Sequence, residues 1–391
     1  MRKGWIIAAL AALLSSCTGQ EPLSMQIVRS EMVRNPEASR IDGQEGKLKW
    51  NYTTGLELKA FLDVYDRYGN KELLDYADAW YDAIIDSCGC IYKYKVSNYS
   101  TDHICPGRTL FRLYELTGKE KYRMAMDTLW RQIQGQPRTP EGGFWHKKVY
   151  PQQMWLDGLY MAQPFYAEYT LRFVPDSLKA ARFEDIALQF RTVAEHTFDP
   201  ATGLYRHAWD SSRGMFWADP QTGQSDHAWG RALGWYSMAL VDVLELLPET
   251  APGREDLVRI LRSIFDRLPE YADPATGMWY QVLDCPGREG NYVEATCSAM
   301  FVYSMLKGIR LGLLDIPSET AREKYDAFVR TFIVREGDLV SLERCCEVAG
   351  LGGKDNRRGD YDYYINERVR ANDPKGIGSA VWAALEMELC K

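Results

Sequence analysis

Apolar residues recur at i, i+3 and i+4 through most of the chain, as in Leu56, Leu58, Phe61, Leu62 and Tyr65. That spacing places them on one face of a 3.6-residue turn. It predicts helices over 24–34, 48–69, 71–87, 105–117, 119–134, 152–173, 176–197, 226–247, 254–270, 291–314, 318–332 and 375–390. Twelve helices in series are six hairpins. Tyr68-Gly69-Asn70 and Thr117-Gly118-Lys119 fall between helices, and Asp373-Pro374 supplies an N-cap followed by a first-turn proline. Three stretches, 91–96, 204–209 and 278–283, read as short strands in longer connections. The segment Asp199-Pro-Ala-Thr-Gly203 returns as Asp273-Pro-Ala-Thr-Gly277, each copy ahead of a strand-like piece and a long helix. Repeated hairpins close into an all-α (α/α)6 barrel or stack into a linear solenoid. The uneven repeats and long decorated loops favour the ring. With no low-complexity linker, residues 17–391 are expected to form one barrel domain.

Residues 1–16 stand apart. Arg2 and Lys3 precede an apolar run from Trp5 to Leu14 that is short for a bilayer span. The run ends Leu14-Ser15-Ser16-Cys17, which looks like a bacterial lipoprotein cleavage site. The expectation is removal of residues 1–16, lipidation of Cys17 and a lipid-anchored protein of the cell envelope, on its periplasmic side. Loss of Arg2 and Lys3 takes the formal charge from −7 to about −9. A net acidic surface repels nucleic acid and long polyanions, so an anionic substrate has to be small and locally held. Among nine cysteines, Cys88-Gly-Cys90 and Cys345-Cys346 have no paired metal spacing. An envelope location permits disulfides without fixing which form.

Candidate chemistry concentrates in Gly143-Phe-Trp-His146-Lys147 through Trp155-Leu-Asp157-Gly-Leu-Tyr-Met161. Met154, Asp157 and Met161, at i, i+3 and i+7, are expected on one helix side. A carboxyl on an apolar face is costly to bury as an anion and tends to keep its proton to higher pH. A protonated acid walled by aromatics suits general-acid chemistry on a sugar, and 12 Trp and 24 Tyr suit ring stacking. Asp102, before Pro106-Gly107-Arg108, reads equally as a cap. His207 lies beside Tyr205 and Trp209, where a hydrogen-bonded structural histidine is the commoner outcome. His227, Arg231 and Trp235, at i, i+4 and i+8, are expected as a helical stripe whose arginine needs an anion, from the protein or from a substrate. Gly352-Gly353-Lys354 lacks the spacing of a phosphate-binding loop, and no GxSxG elbow is present.

Together these motifs resemble glycoside hydrolase family 105, the unsaturated rhamnogalacturonyl and related unsaturated uronyl hydrolases. The resemblance is carried by Trp50-Asn-Tyr52-Thr-Thr-Gly55, Pro106-Gly-Arg-Thr-Leu-Phe-Arg, Met154-Trp-Leu-Asp157-Gly-Leu-Tyr-Met, Trp229-Gly-Arg231 and Asn372-Asp-Pro-Lys-Gly-Ile-Gly378. It implies the (α/α)6 barrel, Asp157 as general acid and base, and Asp102 as a second active-site aspartate. It further implies substrate contacts from Tyr52, His146, Lys147, Trp155, His207, Trp229, Arg231 and Trp235. No metal or organic cofactor is implied. The implied partner is a small unsaturated oligosaccharide, with no nucleic acid and no membrane contact beyond the anchor.

The implied reaction is hydration of a vinyl ether, which releases a 4,5-unsaturated uronic acid from the non-reducing end of a lyase product. One acid that first donates and then accepts a proton serves both halves, unlike hydrolysis between two carboxylates at the anomeric carbon. Two other readings compete. One is a lyase or saturated-glycoside hydrolase on the same barrel. The other is a non-catalytic, lipid-anchored glycan-binding protein.

Overall fold

The computed structural model describes residues 21–390, so the expected leader, Cys17 and the terminal Lys391 lie outside the described residues. Thirteen α-helices follow in order: α1 Leu23–Arg34, α2 Tyr52–Tyr68, α3 Lys71–Ile84, α4 Gly107–Thr117, α5 Glu120–Gly135, α6 Leu156–Phe173, α7 Asp176–Thr197, α8 Gly230–Leu246, α9 Arg254–Arg267, α10 Ala295–Arg310, α11 Ser318–Phe332, the short α12 Tyr361–Ile365 and α13 Pro374–Leu389. All twelve expected helices are present.

Helices α2, α4, α6, α8, α10 and α13 form an inner ring, closed where α13 packs on α2. The outer layer is built by α1 on α13, α3 on α2, α5 on α4, α7 on α6, α9 on α8 and α11 on α10. Sequence separates the layers. Inner α8 is buried at every position from Gly230 to Leu244, and α13 from Pro374 to Met387. Outer α9 buries only the stripe Leu257, Val258, Ile260, Leu261, Ile264 and Phe265. A helix apolar on all sides belongs inside, and an amphipathic one covers it. No described helix is long and apolar enough to cross a membrane.

Eight short strands pair antiparallel in the connections: β1 Gln153–Trp155 with β4 Ala208–Asp210, β2 Phe198–Asp199 with β3 Leu204–Tyr205, β5 Ile333–Glu336 with β6 Leu339–Leu342, and β7 Cys345–Cys346 with β8 Val369–Arg370. The expected strand at 204–209 is thus two pieces broken at His207. Neither 91–96 nor 278–283 is a strand: they make only isolated bridges, Ile85 with Ile91, Ala272 with Trp279, Tyr280 with Val293 and Trp229 with Val282. The sequence echo is one turn used twice. Gly203 N–H donates to Asp199 O and Gly277 N–H to Asp273 O, both at 2.7 Å, with φ of +71° and +75°. In each copy the aspartate side chain also accepts from the threonine hydroxyl.

Four inner helices start later than their apolar pattern suggests: α2 at 52, α6 at 156, α8 at 230 and α10 at 295. The residue before each is extended. Asn51 and Glu294 cap their helices through their side chains, accepting from Thr54 N at 2.9 Å and Cys297 N at 2.6 Å. Trp155 and Trp229 precede α6 and α8 and cannot, because an indole only donates. The backbone caps instead: Leu156 N–H donates to His207 O at 3.1 Å and Gly230 N–H to Gln281 O at 2.9 Å. Asp373 caps α13 as expected, accepting from Lys375 N at 3.0 Å.

The C-terminal halves of the inner helices enclose a charged cavity of about 480 Å3 at the far end of the ring. There Asp242 accepts from Arg108 and Lys307, both at 2.8 Å, and from the Tyr303 hydroxyl at 2.6 Å. Both cations hold the Asp242 carboxyl far below the usual carboxylate range, against the opposing effect of burial. All eight described cysteines are free thiols.

Close helix approach depends on Gly55. A Cβ there would lie 2.5 Å from Pro106 Cβ and 2.6 Å from its Cα, so α2 and α4 would have to part. Gly55→Ala is expected to cost about 1–3 kcal/mol, read as a lower urea midpoint. A midpoint equal to wild type would mean that the helices yield freely at this contact.

Candidate active site

The first turns of four inner helices converge on one cleft. Tyr52 opens α2, Asp157 is the second residue of α6, Arg231 of α8 and Lys375 of α13. The main cleft, about 140 Å3, is lined by Tyr52, Asp102, His146, Lys147, Trp155 and Asp157, among others. A narrower extension adds Trp229, Arg231, Trp235 and Lys375. His207 lies against the cleft through Asp157. The ten residues singled out from sequence therefore meet in one place.

Two geometric expectations fail. Met154 lies in β1 and not on the helix of Asp157, because α6 begins at Leu156. Met161, one turn beyond Asp157, does face the cleft. His227 precedes α8, so it is not part of a stripe with Arg231 and Trp235; its Nδ1 lies 3.0 Å from Asp284 Oδ2.

Asp157 is 13% exposed at the side chain and faces the cleft instead of a packing surface. Its Oδ2 lies 3.3 Å from His207 Nε2, and neither atom has an aligned hydrogen-bond partner. Such loose contacts are common at reactive groups before substrate arrives. His207 is fully buried, between Trp155 at 5.3 Å and Trp229 at 4.8 Å between ring centres.

Asp102 sits in a 3-10 turn, Thr101–His103, whose N-cap is Ser100, so capping does not account for it. Its Oδ2 lies 2.5 Å from Lys147 Nζ and its Oδ1 3.5 Å from His146 Nε2. Burial alone would raise this carboxyl, but Lys147 and His146 prevail and hold it below the ordinary value. It is an ionised acceptor beside Lys147. The His146 imidazole is pushed down to about 4, chiefly by burial, and is neutral. It stacks on Trp155 at 4.5 Å and 11°, and Tyr150, in a parallel plane 6.5 Å from His146, also stacks on Trp155 at 5.2 Å and 11°. Gly158 lets His146 approach: a Cβ there would be 3.0 Å from Nδ1.

Arg231 is 1% exposed. Its Nη2 donates to Cys346 O, while Nε and Nη1 lack partners. Its nearest carboxylate, Asp373 Oδ1, is 3.9 Å away and is already bonded to Lys375. The guanidinium lies 5.1 Å from the Trp229 ring centre. Burial disfavours its charge, but Cys346, Glu294 and Asp373 keep it protonated. A buried guanidinium with two free nitrogens is a place for a carboxylate. The positive ends of the converging helices add to its pull.

Sequence reasoning missed Tyr150, Lys375 and Arg357. Arg357 reaches the cleft from the loop after β7, donating to Gly352 O at 3.1 Å and the Tyr150 hydroxyl at 3.3 Å. Lys375 was findable, as the second residue after the Asp373 cap. Tyr150 and Arg357 lie in loops without a periodic signal.

Burial of neutral His146 makes stability depend on pH. The unfolded imidazole binds a proton below its ordinary value of 6.5, the folded one only near 4. The contribution is therefore complete above 6.5 and lost as pH falls from 6.5 toward 4, by about 3 kcal/mol at most. His146→Gln is expected to flatten that part of a stability-versus-pH curve. His103, which burial also lowers, supplies a remainder. An unchanged slope in the variant would remove His146 as the cause.

Comparisons with known proteins place the chain in a family. The family model described as Glycosyl Hydrolase Family 88 matches residues 23–391. A glycoside hydrolase from family 105 of C. acetobutylicum ATCC 824 is 42% identical, with a TM-score of 0.88 over 94% of this chain and 100% of that one. Protein Atu3128 of Agrobacterium fabrum is 40% identical over 214 residues, which cover 52% of this chain and 89% of that protein. The unsaturated rhamnogalacturonyl hydrolase YesR of Bacillus subtilis is 27% identical over 273 residues, 67% of this chain and 72% of YesR.

Proposed function

Since the chain belongs to the family 88 and 105 glycoside hydrolases, which act on unsaturated glycuronyl substrates, we propose that it releases the 4,5-unsaturated uronic acid from the non-reducing end of lyase-generated, rhamnogalacturonyl-type oligosaccharides. The observation that carries this reading is the pairing of Asp157 with the cleft's incompletely bonded Arg231. One supplies a transferable proton; the other supplies a seat for the carboxylate that every such sugar bears.

Asp157 protonates C4 of the C4=C5 bond. The cation at C5 is stabilised by the ring oxygen, and water adds there while Asp157 takes back a proton. The hemiketal opens, C1 is left bearing the leaving sugar, and that bond collapses to an aldehyde. The proton released in that collapse goes to the leaving oxygen. A single acid-base group serves both transfers. Asp102, held ionised by Lys147, accepts from water or a sugar hydroxyl. Trp155, Trp229 and Trp235 wall the flat ring, and Tyr52 closes the side toward α2. The rhamnogalacturonyl leaving group is supported by the likeness to YesR, whose printed name carries that activity.

Purified protein mixed with unsaturated oligosaccharides is expected to bleach the conjugated enoate absorbance. Asp157→Asn should abolish the bleaching, a loss of ~10³-fold or more, with the helical circular dichroism retained. Near wild-type turnover in that variant would assign the proton to another group. Arg231→Met is expected to raise KM for unsaturated uronides by ~10-fold or more, measured in the same assay; an unchanged KM would place the carboxylate elsewhere.

A further inference from the structure

We propose that Tyr364 is a positioning residue that fixes the tautomer of His207 and, through it, the proton held by Asp157. The inference rests on Asp157 being the acid.

Tyr364 lies on α12, where Asp360 caps the helix by accepting from Tyr363 N at 2.9 Å. The Tyr364 ring is fully buried and stacks on Trp229 at 5.9 Å and 20°. Gln281 ties the two together. Its Nε2 donates to Tyr364 O at 3.2 Å, and its Oε1 accepts from Trp229 Nε1 at 3.1 Å. The phenol oxygen lies 2.7 Å from His207 Nδ1, its only hydrogen-bond neighbour among the described residues.

Counting protons decides the direction. If the phenol donates to Nδ1, its hydrogen is used and the imidazole proton resides on Nε2. That N–H then faces Asp157 Oδ2 at 3.3 Å. The reverse, Nδ1–H donating to the phenol, strands the hydroxyl hydrogen in a buried site without an acceptor, and an unmade buried donor is costly. The phenol itself is far from ionising, because burial raises it well above its ordinary range. So Tyr364 donates, and His207 presents N–H to the acid. That donor engages Oδ2, the buried oxygen of Asp157, and leaves Oδ1 for delivery to C4.

Other charged groups bear on the acid and the imidazole. Asp102, His146 and Lys147 face them from the loops, Tyr52 from α2, and Arg231 from α8 beside Asp373 and Lys375 of α13. The charges of Asp226 and Asp284 also bear on Tyr364. Tyr364→Phe alters none of these groups. It removes one hydroxyl, and with it the preference between tautomers. The Nδ1–H form then becomes populated, and its bare Nε2 faces Asp157.

The chain has five histidines, so nitrogen-15 spectra of the whole protein resolve His207, assigned by its loss in His207→Gln. The expected wild-type spectrum has a protonated Nε2 and a bare, hydrogen-bonded Nδ1. In Tyr364→Phe the Nδ1 signal is expected to move and the tautomers to mix. With an unsaturated disaccharide, kcat should fall ~10-fold while KM stays within about 2-fold. Wild-type protein with its proton on Nδ1, or a variant in which neither the tautomer nor kcat moves, overturns the assignment. If wild type consumes no unsaturated sugar, the proposed function fails, while the wild-type spectrum alone still decides the role of Tyr364.

Discussion

An inner ring of helices that all begin at the same end imposes the rest of this architecture. Each helix starts with amide hydrogens that no preceding turn can satisfy. Bringing those starts together creates one region of concentrated positive potential, and the chain has to place capping groups, acids or ligands there. Asn51, Glu294 and Asp373 meet part of the need through their side chains. At α6 and α8 tryptophans stand where a cap would be, and the carbonyls of His207 and Gln281 take over. The loops that carry chemistry are thereby fastened to the helix ends that carry chemistry. Asp157 and Arg231 emerge one residue into those same two helices.

The cationic pull is tempered unequally. Lys147 is matched by Asp102 and Lys375 by Asp373, each at contact distance. Arg231 is matched only by a backbone carbonyl and a carboxylate 3.9 Å away. The charge left over is thus local to one guanidinium, on a protein whose overall balance is acidic. A chain of many negative charges is repelled at a distance, while the proposed substrate brings a single carboxylate to that guanidinium. The far cavity shows the other solution to the same physics: Arg108, Lys307 and Asp242 saturate one another.

Periodicity made the ring legible, because six inner helices need six covers and the apolar spacing of both kinds is visible. It misplaced the starts of α2, α6, α8 and α10 by about four residues. The segments before them, such as Gln153–Trp155, are extended yet buried, and a short buried strand has the same apolar run as a helix turn. Met154 and His227 were lost to that ambiguity. The cleft residues on or beside helix starts were readable through their motifs. Tyr150, Arg357 and Tyr364 were not. The first two sit in irregular connections. The third lies on a helix of five residues, too short to leave a pattern. Nothing in the sequence says that a tyrosine 157 positions away will meet His207.

The floor of the cleft has a consequence for how polymers are handled. Beneath Asp157, Trp235 packs on Tyr160 at 4.7 Å, both with almost no exposure. The charged cavity beyond shares no lining residue with the cleft. The barrel is therefore a cul-de-sac and not a tunnel. A glycan cannot thread through it; only a terminus can dip in, and whatever is severed must back out through the same mouth before another terminus follows. One-sided access is built into the packing of two aromatic rings.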